Sequence, residues 1–138
     1  MKTNNKQYEM EVLVTSDHID GLNHVNNVQY LYWVQEVAKA HWNALTASLS
    51  EIEGVWVVRN HFIEYKKPAF LGEQLHISTR VKTMRGPLSE RYVAIRNAST
   101  GELLVQCTTS WCYIELSSRK LITVPKRLQE LLLKGTIN

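Results

Sequence analysis

The densest run of reactive side chains in the sequence is Asp17-His18-Ile19-Asp20-Gly21-Leu22-Asn23-His24-Val25-Asn26-Asn27, with two carboxylates, two histidines and three asparagines. A carboxylate beside a reacting carbonyl can take a proton from water or attack directly, and an imidazole can polarise a carbonyl or orient water. The run ends where a helical pattern begins. Asn26 or Asn27 can cap that helix, and the first backbone N–H groups beyond a cap have no partner inside the helix. Those amides can bind an oxyanion, helped by a helix dipole worth roughly 0.3–1 kcal/mol at an exposed site. Asp, Asn and Gly also gather before helices simply because they turn and cap well. This run exceeds what capping needs, yet residue types alone leave the two readings level.

The elements that must position this run follow from periodicity. Residues Tyr8 to Thr15 are rich in β-branched residues and predict a first strand that runs into the cluster. From Val28 to Ala47 there is no Gly or Pro, and Leu31, Val34, Val37, Ala38, Trp42 and Leu45 recur at helical spacing. Tyr30, Trp33 and Ala40 widen that stripe, leaving Gln35, Glu36, Lys39 and Asn43 as a narrow polar band. A helix so broadly apolar is expected to be mostly surrounded. Four further strands read as Val55–Tyr65, Gln74–Met84, Glu90–Asn97 and Leu103–Leu116, divided by turn signals at Lys67-Pro68, Leu71-Gly72, Arg85-Gly86-Pro87 and Thr100-Gly101. The last two connections are short enough for antiparallel hairpins. Pro125 opens a short amphipathic helix with Leu128, Leu131 and Leu132 on one side. The order predicts an α+β fold, one five-stranded antiparallel sheet wrapped around one long helix, in a single domain spanning residues 1–138.

The bulk properties exclude more than they specify. The chain has 138 residues, 44% hydrophobic and 21% charged, a composition that folds. Sixteen Lys and Arg against thirteen Asp and Glu give a net charge of +3, scattered rather than in a run, so no nucleic acid is implied. Residues 1–7 are polar and no stretch approaches the ~20 apolar residues of a membrane span, so the expectation is a cytoplasmic protein with no membrane attachment. Cys107 and Cys112 sit in one strand on opposite faces and read as free thiols, Cys112 as packing. His18, His41, His61 and His76 form no ligand set, so no metal is expected. Glu36, about two and a half turns beyond Asn27, is placed to be a second carboxylate lining the site, but a helix Glu of this kind reads rather as solvated or structurally bonded.

The stretch Asp-x-x-Asp-Gly-x-Asn-His-Val-Asn-Asn-x-x-Tyr from Asp17 to Tyr30, then Trp33 and Glu36-Val37-Ala38, resembles the signature of the 4-hydroxybenzoyl-CoA thioesterase-like hotdog family, especially its acyl-carrier-protein (ACP) thioesterase branch. Ile63-Glu64-Tyr65-Lys66-Lys67-Pro68-Ala69, with Leu71-Gly72-Glu73-Gln74-Leu75 after it, is similar to the second strand and turn of the same family. The resemblance runs from Tyr8 to Leu116. It implies a hotdog fold and an acyl-CoA or acyl-ACP thioesterase without a cofactor. By alignment on His24 and Tyr30 it makes Asp20 the catalytic carboxylate, as base or nucleophile, and sets the Asn27 N–H against the thioester carbonyl. It gives His24 a role in polarising that carbonyl or orienting water, the alternative being a residue that only bonds within its loop. Asn26 and Tyr30 are then substrate-facing, with Arg59, Lys66, Lys67 and Arg85 as candidate cations for the pantetheine phosphates. The sequence departs from the plant enzymes at Leu22, where they carry asparagine, and at Pro68-Ala69, where they carry Glu-Cys. The resemblance also implies a homodimer or homotetramer. Two other readings are a hotdog hydratase or dehydratase, against which His61-Phe62 is followed by Ile63-Glu64 rather than Pro-Gly, and a non-catalytic acyl-thioester-binding protein, against which stands Asp20.

Overall fold

The computed structural model describes residues 6–135, so the polar opening residues 1–5 of the sequence reading lie outside it. Strand β1 (Gln7–Leu13) leads through a single 3-10 turn, Ser16–His18, and the reactive run to helix α1 (Asn27–Thr46). Strands β2 (Gly54–Tyr65), β3 (Gln74–Arg85), β4 (Leu88–Asn97) and β5 (Leu103–Glu115) follow, and then helix α2 (Lys126–Lys134). The five strands form one sheet in the order β1-β3-β4-β5-β2, with every neighbouring pair antiparallel. The first and second strands are thus the two edges, and α1 connects them across the concave face. The α+β reading and both hairpins are borne out. A two-residue turn at Gly86-Pro87, with Gly86 at φ 57°, joins β3 to β4 and lengthens β4 back to Leu88.

Alternation along the strands decides which side chains meet the helix. In β4 Ser89, Arg91, Val93 and Ile95 point inward, and in β5 Val105, Cys107, Thr109, Trp111 and Tyr113 do. They meet Tyr30, Trp33, Val34, Val37, Ala38, His41 and Leu45 of α1. The core falls into two clusters. One gathers Val14, Val25, Tyr30, Trp33, Leu75, Ile77 and Ile95 around the start of α1, and the other gathers Leu45, Tyr113, Val124 and the α2 leucines around its end. Leu128, Leu131 and Leu132 are all buried, each such burial worth roughly 1.5–3 kcal/mol, which holds α2 against the far end of the sheet.

Two of the boundaries that differ from the sequence reading have clear local reasons. The first strand stops at Leu13 because the Thr15 N–H donates to His18 Nδ1 at 3.0 Å and begins the 3-10 turn. Helix α1 starts at Asn27 because Asn26 caps it, its Oδ1 accepting from the Val28 N–H at 3.0 Å. The helix is also less enclosed than its apolar breadth implies. A single sheet covers one side only, so Val28 and Tyr32 join Glu36, Lys39 and Asn43 on an exposed stripe, with Tyr32 61% accessible.

Candidate active site

The run between β1 and α1 closes on itself like a small hairpin. Ile19 bridges Val25, the Asp20 N–H donates to His24 O at 3.0 Å, and the Asn23 N–H donates to Asp20 O at 3.2 Å. Asn23 takes a left-handed backbone, φ 69°, which asparagine tolerates better than most residues. A second segment, from Lys66 to Glu73, locks this hairpin in place. The Val25 N–H donates to Ala69 O at 2.9 Å, His24 bridges Phe70, and the Ala69 N–H donates to the Tyr30 hydroxyl at 3.2 Å. Glu73 ties that segment down, accepting from the Phe70 N–H at 2.6 Å and from Asn97 Nδ2 at 2.7 Å.

Between the two segments lies a cleft of about 280 Å³ lined by His24, Asn27, Tyr30, Tyr65, Lys66 and Lys67 together with Val25 and Pro68. The amides that open α1 beside it are unequal. The Val28 N–H is taken by Asn26 Oδ1 and the Gln29 N–H by Asn26 O at 2.9 Å. The Asn27 N–H, first in the helix, has no acceptor among the described residues. It is a single free donor at the positive end of a 20-residue helix, facing a cleft. Such a donor suits an oxyanion or a polarised carbonyl.

Asp20 stands behind His24. Its Oδ1 accepts from the Leu22 N–H at 2.8 Å, and its Oδ2 lies 3.5 Å from His24 Nδ1, within ion-pair range but long for a hydrogen bond. The Asp20 side chain keeps 26% of its accessibility and the His24 side chain 30%. His24 Nδ1 is also 3.4 Å from Val25 O. Both neighbours of Nδ1 are acceptors, so Nδ1 carries the proton in the neutral ring and Nε2 the lone pair.

Around the cleft, burial above all pushes the Tyr30 hydroxyl up, with Glu73, Tyr65 and Asp20 adding to the rise and the Ala69 N–H opposing it. Burial, and then Cys107, push Tyr65 up as well. Both phenols therefore stay protonated at neutral pH. Tyr65 donates to Asn27 O at 3.4 Å and its ring lies 5.8 Å from that of Tyr30.

Of the residues singled out in the sequence, the structure brings His24, Asn27, Tyr30, Lys66 and Lys67 to one cleft, with Asp20 adjoining through His24 rather than on the cleft wall. Asn26 spends its side-chain oxygen on the helix cap. Lys67 is held by Glu102 at 2.7 Å. Arg59 lies at the irregularity in the middle of edge strand β2, and Arg85 at the end of β3 opposite to the one joined to the Lys66–Glu73 segment, so neither is brought to the cleft within the subunit. Glu36 is exposed on α1 and does not line the cleft. His18 is a structural residue whose ring packs edge-on against Trp33, 5.0 Å between centroids. Tyr65, on the cleft wall, and Glu73, which ties down the second segment, are not singled out by the sequence, although both fall inside the stretches that carry the resemblance. Among the described residues no group of three His, Cys, Asp or Glu is placed to hold a metal ion, and Cys107 and Cys112 are both free.

The profile of the acyl-ACP thioesterase N-terminal domain matches residues 5–132. The chain belongs to the acyl-ACP thioesterase family. It is therefore a thioester hydrolase of acyl-CoA or acyl-ACP type. Within the curated relatives, the long-chain acyl-CoA thioesterase FadM of Escherichia coli (strain K12) is 26% identical over 127 residues, covering 88% of this chain and 94% of FadM. Solved thioesterases share the fold. The probable thioesterase YbaW of Escherichia coli superposes with a TM-score of 0.78 at 24% identity, over 92% of this chain and 97% of its own. The 12:0-ACP thioesterase of Umbellularia californica gives a TM-score of 0.80 at 16% identity, over 96% of this chain but 51% of its own. These neighbours bear out the hotdog architecture of an acyl-ACP thioesterase family member. Among the described residues no helix is long and apolar enough to cross a membrane.

Proposed function

We propose that this thioesterase binds the carbonyl of its acyl thioester against the Asn27 N–H, with Asp20 and His24 supplying the base, in one hotdog domain working in the cytoplasm. The observation that carries the reading is the unpaired Asn27 amide at the α1 N-terminus, in a residue lining the same cleft as His24, whose ring Asp20 approaches to 3.5 Å. In the hydrolytic step Asp20 takes a proton from water and the oxygen adds to the carbonyl carbon. Negative charge collects on the carbonyl oxygen at Asn27, and collapse breaks the C–S bond. A thiol of pKa about 8.5 leaves as thiolate without strong acid assistance, so one base and one oxyanion donor suffice. Direct attack by Asp20 to form an anhydride is the nucleophilic variant of the same step.

A second route is favoured by one specific observation: His24, not Asp20, lines the cleft, and its Nδ1 faces acceptors. In that route Asp20 orients the ring and Nε2 takes the proton from water. Thiol release from a panel of acyl-CoA and acyl-ACP substrates by Asp20→Asn, His24→Ala and the double variant separates the routes. Direct action of Asp20 gives a loss of orders of magnitude for Asp20→Asn and a small one for His24→Ala. Relay through His24 gives similar losses for both singles and no further loss for the double, as residues acting as a unit do. Full activity of Asp20→Asn removes both.

The assembly proposed is a homodimer or homotetramer formed through β2. The other edge, β1, is seven residues long and carries Glu9 and Glu11, which discourage pairing. Edge β2 is twelve residues long and exposes Val55, Val57 and Phe62. A long apolar edge is an aggregation hazard that a second copy covers. Light scattering at micromolar concentration is expected to give at least a dimer, and Val57→Lys to shift it toward monomer. A monomeric parent protein would remove this part of the reading.

A further inference from the structure

Tyr65 is the last residue of β2, and its ring is fixed at the cleft from two sides. Its backbone pairs with Val105 of β5, and just beyond it the N–H groups of Lys66 and Lys67 both donate to Leu104 O, at 2.8 and 3.1 Å. On the other side its ring leans on that of Tyr30. The hydroxyl meets Asn27, the residue that also carries the free N–H, but at 3.4 Å from its carbonyl oxygen. O–H···O bonds are ordinarily about 2.7–2.8 Å long, so this one is weak. The Asn27 carbonyl lies in the first turn of α1 and accepts the Leu31 N–H in the helical pattern, so it is not orphaned when the hydroxyl turns away. Tyr65 is 43% accessible, whereas Tyr30 is 2% accessible and its oxygen is taken by the Ala69 N–H. Tyr65 therefore brings to the cleft a neutral O–H donor that is positioned, open and easily redirected.

The developing oxyanion has lone pairs that one amide does not fill, and the Val28 and Gln29 amides are committed to Asn26. The backbone nitrogen and oxygen of one residue are three bonds apart, about 4 Å at most, so a hydroxyl beside the Asn27 oxygen stands near the Asn27 N–H. We infer that Tyr65 is a second oxyanion donor of this thioesterase, its hydroxyl leaving the Asn27 carbonyl to donate to the reacting carbonyl oxygen that the Asn27 N–H holds. The inference rests on the Asn27 reading above and adds to it a side chain from the far edge of the sheet. As the water oxygen adds to the carbonyl carbon, the C=O electron pair moves onto oxygen, which accepts from both donors. On collapse the pair returns, the C–S bond breaks, and Tyr65 ends the cycle with its own proton. The phenol is not the acid for the leaving sulfur. Burial holds it above its ordinary 10.0, and a thiolate whose acid has a pKa of about 8.5 is too weak a base to take that proton.

Steady-state thiol release by the full-length protein tests this, on the acyl-CoA that the parent hydrolyses fastest and on the S-phenyl thioester of the same acid, whose thiol is more acidic. Tyr65→Phe keeps the ring and removes only the hydroxyl. It is expected to melt like the parent, to lower kcat at least tenfold on both substrates and to leave KM within threefold, because an oxyanion donor acts in the transition state. Tyr65→3-fluorotyrosine restores an O–H donor and is expected to turn over at least tenfold faster than Tyr65→Phe, which a merely structural ring would not show. A loss below tenfold in Tyr65→Phe overturns the proposal, as does a 3-fluorotyrosine variant no faster than the phenylalanine one. A loss on the acyl-CoA that disappears on the S-phenyl thioester also overturns it, because the phenol then serves the leaving sulfur. Asp20→Asn is assayed alongside. If it is inactive while Tyr65→Phe turns over normally, this inference fails and the site reading stands; if it is fully active, the site reading fails and takes this donor with it.

Discussion

Replacing Asn27 by proline removes one hydrogen atom's worth of chemistry from the cleft and leaves the fold a reason to remain. Proline is favoured at the first position of a helix, because the N–H it lacks has no intrahelical partner there. Asn27 holds that position, and its N–H has no acceptor among the described residues. The residue before proline must be extended, and Asn26 already is, at φ −62° and ψ 133°. Stability is therefore expected to hold or to rise by about 0.4–1 kcal/mol through the stiffer unfolded chain. Catalysis should not hold. The neighbouring amides of Val28 and Gln29 are committed to Asn26, so none can replace the lost donor. Loss of one oxyanion donor costs on the order of 10²–10³ in kcat, about 2.7–4 kcal/mol. Asn27→Ala is the control, since it removes the same side chain and keeps the N–H. Steady-state thiol release and thermal melts on both variants decide the matter. If Asn27→Pro melts like the parent and turns over within about threefold of Asn27→Ala, the oxyanion assignment is wrong.

Other perturbations follow from contacts elsewhere in the fold and at the cleft's rim. A Cβ at Gly54 would come within 2.6 Å of the Tyr113 ring and 2.8 Å of Ile114 O, and the Gly54 N–H donates to the Tyr113 hydroxyl at 2.9 Å, so Gly54→Ala is expected to cost roughly 1–3 kcal/mol in denaturant unfolding. Burial holds His61 below its ordinary value of 6.5, so in the range beneath 6.5 the unfolded chain binds a proton that the folded chain does not. The stability this residue contributes is thus complete above 6.5 and lost as pH falls through the folded value, and His61→Gln should flatten the fall in melting temperature on acidification; an unchanged slope would place the titrating group elsewhere. The Lys67–Glu102 pair is exposed, so Lys67→Ala should change stability by less than about 0.5 kcal/mol, and any effect on turnover should appear in KM rather than kcat.

What could be read from the sequence was whatever one segment decides by itself. The cap at Asn26, the stripe from Val34 to Leu45, the two short hairpins and the α2 leucines are each set by residues a few positions apart, and each stands within a residue or two of its expected place. The cleft required more, because its second wall, Tyr65 to Pro68, reaches Asn27 only through the pairing of β2 with β5 at the far edge of the sheet. Period-two alternation says which face Tyr65 occupies but not which residue it meets. The cations show the same limit. Arg59 and Arg85 have the right charge for a phosphate, but charge carries no address, and the pairing register sets them away from the cleft.

Arg91 and His41 show where more was available. His41 falls on the apolar stripe of α1, three and four positions from Ala38 and Leu45, and Arg91 falls on the inward row of β4 between Ser89 and Val93. Taken singly, each is a polar residue at an apolar position and reads as a defect in the pattern. A buried cation and a buried imidazole acceptor are, however, each costly alone and much less so together. Their 2.8 Å contact lies beside the seam between the two core clusters, with Thr79 completing the group. Two polar misfits of complementary donor and acceptor type, one on the helix stripe and one on the inward row of a central strand, are therefore a predictor of mutual contact. The same reasoning predicts that His41→Leu alone leaves Arg91 short of an acceptor and destabilises the fold by about 1–3 kcal/mol. Adding Arg91→Met should restore part of that loss, as removing both partners of a buried polar pair does. A double variant whose loss equals the sum of the two single losses, measured by denaturant unfolding, would show that the two residues do not depend on each other.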